Sequence, residues 1–341
     1  MNLSVPVRPW EWFAGLGESV SQVSWSSDGN VLAVGLLDGR VVLLNAANGA
    51  VLQTFMAHAD GLFRTAFSSS LPLLATSGQD GFIRIWSQTG ERFQEIEGGK
   101  AWAEQLLWSP GGDRLAAAVG RRLFLWDAAS RKVVETAVHR STVAGLSWKA
   151  DGSVLAAACY AGVELWRSAD GQHHGSLPWK TSLISLAWSP DGRWVVAGTQ
   201  EQSIQIWEIP FRAGEELAMS GYAAKVRELA WHSGGRYLAT GGGTEVMVWD
   251  CGGRGPAGTT PRILQGHEAR ISALAYQRAG HLLASGGQDG QVLMWNAGKS
   301  SQALRRMDLP GVVTDLAWSP SGNRVAAGTR DGAVAVGGIP A

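Results

Sequence analysis

Apolar and polar residues alternate along this chain in short stretches, one after another, separated by turn-forming residues. No stretch carries the three-to-four spacing of a long amphipathic helix, so the pattern predicts strands throughout. An aromatic closes one such stretch at Trp25, Phe67, Trp108, Trp148, Trp188, Trp231, Tyr276 and Trp318, at intervals of 40 to 45 residues. A turn follows it, as in SSDG (26–29), KADG (149–152), SPDG (189–192) and SPSG (319–322), and reads as the bend of a hairpin. Next comes a run of small apolar residues, for example VLAVG, RLAAAVG or LLASGG, as expected of a strand covered on both faces. A third strand ends in tryptophan at Trp86, Trp126, Trp166, Trp207, Trp249 and Trp295, with Leu44 and Gly337 at the equivalent places of the first and last copies. A weaker fourth strand, such as VLQTF (51–55) or RFQEI (92–96), completes the unit.

A period of this length suits one four-stranded blade of a β-propeller. The eight copies predict an all-β, closed propeller of eight four-stranded blades, a single domain over residues 1–341, with seven blades as the alternative count. Each blade has to cover its faces against two neighbours, and leftover strands would expose unpaired edges. The repeat is out of phase with the chain: an outer strand near Trp10 to Ala14 has no inner strands before it, and the last copy stops at Ala333 to Gly337 without an outer strand.

The succession of a Gly-His loop, the LAWSPDG hairpin, LASGGQDG and VLMWN resembles the WD-repeat family over essentially the whole chain. Only Trp126 and Trp249 keep the literal Trp-Asp pair, with Asp127 and Asp250. The resemblance implies a ring closed by pairing the N-terminal outer strand with the C-terminal inner strands. It also implies a non-catalytic scaffold or adaptor that binds another protein on the narrow, top face.

Composition narrows the partners. Glycine at 45 residues and tryptophan at 17 fit many tight turns and extensive aromatic burial. With 29 basic and 29 acidic residues no global field favours nucleic acid or an anionic membrane. Cys159 and Cys251 are too few for a disulfide framework or a zinc ribbon. The first residues, MNLSVPVRPWEW, lack a basic start followed by an apolar core, and no apolar run approaches the roughly 20 residues of a membrane span. The reading is a soluble, cytoplasmic protein.

Two copies carry a full polar set: His58, Thr76, Asp80 and Trp86, and, 209 residues on, His267, Ser285, Asp289 and Trp295. His267, Ser285 and Asp289 have the residue types of a nucleophilic triad. No G-x-S-x-G elbow accompanies them. The resemblance implies a buried structural chain instead, running from aspartate through histidine and hydroxyl to the tryptophan N–H. Repeat 4 keeps His139 but has Ala156 and Tyr160 at the hydroxyl and acid stations, and repeat 5 offers Glu201 with Trp179.

Other candidate chemistry is thin. His173 and His174 are adjacent on a strand and point to opposite faces, so they do not begin a metal site. No P-loop, dinucleotide fingerprint, HExxH or CxxC pair is present, and neither metal nor cofactor is expected. The Gly/Pro-rich segment CGGRGPAGTTPR (251–262) reads as a mobile loop, or as a flap against a partner.

Mapping the family's top-face stations by register gives Phe63, Trp102, Glu104 and Ile184 on repeats 2, 3 and 5. It gives Lys225, Arg227, Arg270 and Arg330 on repeats 6 to 8, with Gln79, Gln200 and Gln288 between. An aromatic and aliphatic sector would then face a basic arc, which fits an acidic, partly apolar protein segment. The alternatives are nucleic-acid or ribonucleoprotein association through the basic arc, and a propeller hydrolase or metal-binding protein. Net neutrality disfavours the first, and the absence of convergent acids or histidines disfavours the second.

Overall fold

The structure, a computed structural model, describes residue 7 and residues 9–339. The first six residues of the N-terminal stretch read above lie outside the described residues. Those described form thirty β-strands, and none of them is helical. The turn after each inner strand is built by its own sequence. In SPDG the Ser189 hydroxyl donates to Asp191 (2.5 Å) and accepts the N–H of Trp194 (2.8 Å), the residue that opens the next strand. Gly192 closes the turn at φ +75°, a left-handed backbone that glycine adopts without a steric penalty.

The strands are hydrogen-bonded into seven sheets, the alternative count, and not into the eight separate four-stranded blades that the repeat count predicts. Six sheets have four strands. Repeats 4 and 5 share a six-stranded sheet through two long strands, Val154–Arg167 and His173–Trp188. The cause is the turn region of repeat 4. Where repeats 2 and 7 place a Gly-Gln-Asp-Gly reversal, this one has Cys159, Tyr160 and Ala161, and the chain passes through a bulge between Tyr160 and Gly162 without leaving the ladder. Tyr160 pairs with Ser182, which ties the two repeats together.

Trp12–Gly15 lies antiparallel on Ala333–Gly338, in register Trp12↔Val336 through Gly15↔Ala333, and so supplies the outer strand of the last sheet. The inner strands contact one another around a closed ring. Between neighbouring sheets lie the apolar clusters. Trp12, Trp25, Leu32 and Leu44 pack with Ala326, Val334 and Val336 across the chain ends, and Trp126, Trp194, Trp207 and Trp295 are fully buried. The small residues of the second strands let the sheets approach closely, and the tryptophans fill the wider space towards the rim.

Candidate functional site

Both polar sets are assembled by the same three elements of their repeats. His58 stands on the loop before an inner strand, Thr76 on the second strand and Trp86 at the end of the third. His58 Nδ1 lies 2.8 Å from Asp80 Oδ1, its Nε2 lies 2.9 Å from Thr76 Oγ1, and the Trp86 indole N–H donates to the same hydroxyl at 2.9 Å. An ionised carboxylate only accepts, so Nδ1 carries the proton, Nε2 accepts from the threonine, and the threonine accepts from the indole. Burial holds the His58 pKa below its ordinary value and keeps the ring neutral. Burial opposes ionisation of Asp80, but hydrogen bonds from Arg84 and His58 outweigh it and its pKa is lowered. The Arg84 guanidinium is 2.6 Å from Asp80.

The second set repeats this geometry. His267 Nδ1 is 3.1 Å from Asp289 Oδ2, its Nε2 is 2.8 Å from Ser285 Oγ, and Trp295 donates to Ser285 at 2.8 Å. The Ser285 hydroxyl is wholly buried and engaged on both sides, so no carbonyl carbon can approach it.

Sequence reasoning missed a third junction. In repeat 6 the Tyr222 hydroxyl takes the place of the histidine, 3.0 Å from Thr240 Oγ1 and accepting the Trp249 indole N–H at 3.0 Å. A phenol both donates and accepts, which is the property the relay needs. Repeat 4 shortens the chain: Trp166 donates directly to His139 Nε2 at 3.0 Å. In repeat 5 Trp179 donates to Thr181, whose hydroxyl donates to Glu201 (3.1 and 2.9 Å), while the buried Trp207 indole N–H finds no partner among the described residues.

The top-face residues are distributed unevenly. Trp102 is 54% exposed, and its ring lies 5.6 Å from that of the half-buried Phe63. Glu104 is half-buried beside them. Ile184, by contrast, is only 8% exposed. It sits within the long strand His173–Trp188, where the fused sheet leaves no loop to raise it to the surface. Lys225, Arg227 and Arg330 are exposed and form no ion pair among the described residues. Arg270 is tied back, donating to the Lys225 carbonyl at 2.8 Å and lying 3.9 Å from Glu228. Leu37 and Val138, in loops of repeats 1 and 4, and Tyr160, on the long strand Val154–Arg167, are also exposed.

The inner strands carry a further, partly buried carboxyl. Asp315 accepts the Val23 N–H at 2.9 Å across the junction between the last and first repeats. Burial pushes its carboxyl up to about 6, against the opposing pull of that hydrogen bond and of Arg64. On the opposite face a cavity of about 490 Å³ opens between Trp148, Trp188, Trp231 and Tyr276, with Arg278 at its edge.

The structure also places the remaining candidates. The 251–262 segment, expected to be a mobile loop or flap, is folded onto repeat 5. Arg193 donates to the Gly253 carbonyl (2.7 Å), Trp194 donates to that of Cys251 (3.2 Å), and Gly255 and Pro256 are buried. Burial pushes the Cys159 and Cys251 thiols up to about 11 and about 12, which leaves them protonated. His173 pairs with Glu164 at 2.7 Å, and among the described residues no group of three or more potential ligands is placed to hold a metal ion.

With this geometry in hand, two family models match the chain. The WD domain, G-beta repeat, matches residues 171–208, 215–250, 258–296 and 305–336, and the anaphase-promoting complex subunit 4 WD40 domain matches residues 10–69. The chain belongs to the WD-repeat β-propeller family. Among WD-repeat relatives, the U3 small nucleolar RNA-associated protein 21 homolog of Schizosaccharomyces pombe is 30% identical over 28% of this chain and 10% of its own length. Eukaryotic translation initiation factor 3 subunit I of Emericella nidulans is 30% identical over 32% of this chain and 33% of its own. THO complex subunit 3 of Arabidopsis thaliana is 27% identical over 36% and 39%. These matches thus span a tenth to about two fifths of the relatives' lengths. The crystal structure of the computationally designed Ika8 protein superposes with a TM-score of 0.83 over 97% of this chain and 99% of that one, at 23% identity, a likeness of fold.

Proposed function

We propose that this WD-repeat protein is a non-catalytic platform that binds an acidic, partly apolar segment of another protein across its top face. The observation that carries the reading is Trp102, a large indole left 54% exposed against Phe63, with the unpaired cations Lys225, Arg227 and Arg330 on later repeats. Exposed aromatics and arginines are the residue types that most often dominate interface energies. Relatives named as subunits of an initiation factor and of the THO complex support assembly with other proteins as the general role. Burial of Ser285 with both hydrogen-bond directions occupied speaks against hydrolysis by the second polar set.

Affinity capture followed by surface plasmon resonance on the purified partner tests this. Trp102→Ala should speed dissociation and cost about 2 kcal/mol or more, roughly 30-fold in affinity. Arg227→Glu combined with Arg330→Glu should slow association and flatten its salt dependence, because rim charges steer encounter. Arg278→Ala on the opposite face should do neither. Loss of binding with Arg278→Ala alone would place the partner on the other face and refute the assignment.

A further inference from the structure

A propeller sheet ends in an outer strand whose far edge is open, and such edges are ordinarily shortened or charged; here the edge of Ala303–Asp308 also takes a bridge from Val7 to Arg306. Five of the seven outer strands here follow that rule. Arg92–Glu97 and Ala303–Asp308 carry several charges, and Val133–Glu135, Leu217–Met219 and Arg262–Leu264 are three residues long. Trp12–Gly15 has four residues and ends in Ala-Gly. Val51–Met56, with sequence VLQTFM, is the exception: six residues, no charge, no proline, and every residue exposed except the half-covered Phe55. Val51, Leu52 and Met56 are 59%, 54% and 56% exposed.

We propose that Val51–Met56 is the interface through which two copies of this chain dimerise, by antiparallel pairing of the strand with itself. Its backbone polarity sets the register. The Ala57 N–H donates to the Gly39 carbonyl at 2.9 Å, in phase with the pairs Met56↔Arg40, Phe55↔Val41 and Thr54↔Val42. Alternation along an antiparallel ladder then turns the polar groups of Phe55 inward and those of Thr54 and Met56 outward. A two-fold axis through Thr54 lets that residue exchange hydrogen bonds with its own copy. It also sets Gln53 opposite Phe55 of the other copy and brings Met56 towards Leu52, the residue bulged out of the ladder between Gln53 and Val51. The exposed Leu52 and Met56 are thereby covered, no like charges meet, and the two four-stranded sheets become one. The self-matching pattern is what favours a second copy over an unrelated strand.

Sedimentation velocity on the full chain over a concentration series tests this. Wild type should show a concentration-dependent dimer. Thr54→Lys, at an exposed position, places two ammonium groups opposite each other and should raise the dissociation constant by about tenfold or more. Thr54→Val should retain the dimer. A wild type that stays monomeric to its solubility limit overturns the proposal. So does a dimer that withstands Thr54→Lys, or one that is dissolved by Trp102→Ala instead.

Discussion

Replacing Asp315 by asparagine should stabilise the protein at neutral pH, although it removes a charge that accepts a hydrogen bond. The carboxyl is raised from an ordinary aspartate value of 3.8 to about 6, so the folded chain binds this proton more tightly than the unfolded one. Stability from this group is therefore fully present below the unfolded value and is lost as pH rises through about 4 to 6. Two pH units at 1.36 kcal/mol each give about 3 kcal/mol above that window, an upper figure. The residue is only partly buried by exposed area, which reduces the effect to about 1–2 kcal/mol. Asparagine keeps a carbonyl to accept the Val23 N–H and carries no charge to desolvate. For a chain of this size the gain corresponds to roughly 1.5–3 °C in melting midpoint. Thermal melts followed by circular dichroism at about pH 7.5 and about pH 4.5 test it, because the advantage of Asp315→Asn should be full at the first and cut to roughly a third at the second. The histidines common to both proteins cancel in the comparison. A variant that melts lower than wild type at neutral pH, or gains equally at both, would falsify the reasoning.

Two further outcomes follow from the hydrogen-bond geometry. Asp80→Ala leaves the His58 Nδ1–H and the Arg84 guanidinium without their carboxylate, and Tyr222→Phe strands the Trp249 N–H; each should cost about 1–3 kcal/mol in chemical denaturation, and an unmoved midpoint in either would contradict the relay. Removing the chain through Gly15 uncovers Ala333–Gly338 as a new, wholly apolar edge, and should yield aggregated or markedly destabilised protein in light scattering and melting; a soluble product with an unchanged midpoint would mean that this pairing contributes little.

The individual strands were legible because each has a local cause. Closing aromatics such as Trp108 and Trp148, the Ser-Pro-Asp-Gly turn and the buried alanines of the second strands state their environment directly. The His58 and His267 sets were legible from their identical spacing. The sheet count was not, because it depends on whether the chain turns or merely bulges at Tyr160–Gly162. Ala161 there takes φ +71°, a conformation usually announced by glycine, so no residue flagged the irregularity. Tyr222 escaped because the relay needs a donor and acceptor at that point, not a histidine, and residue matching does not see the equivalence. Register alone could place Ile184 at a top-face station but could not reveal that its neighbours cover it. Asp315 reads as one more polar position on an alternating strand until the Val23 N–H is found across the gap between chain ends.

The fused sheet of repeats 4 and 5 also bears on how the ring comes apart. In a ring of modules that touch only their neighbours, each module can open at its own free energy, and rupture starts where the contacts are fewest. Val154–Arg167 and His173–Trp188 remove one such boundary, because neither repeat can detach without breaking the backbone ladder of the other. Amides from 154 to 188 should exchange with solvent as one cooperative block and late. The seam formed by Trp12–Gly15 on Ala333–Gly338, held by only four residue pairs, is where opening should start. The molecule thus has a built-in polarity of unfolding, from the joined chain ends towards the middle of the sequence.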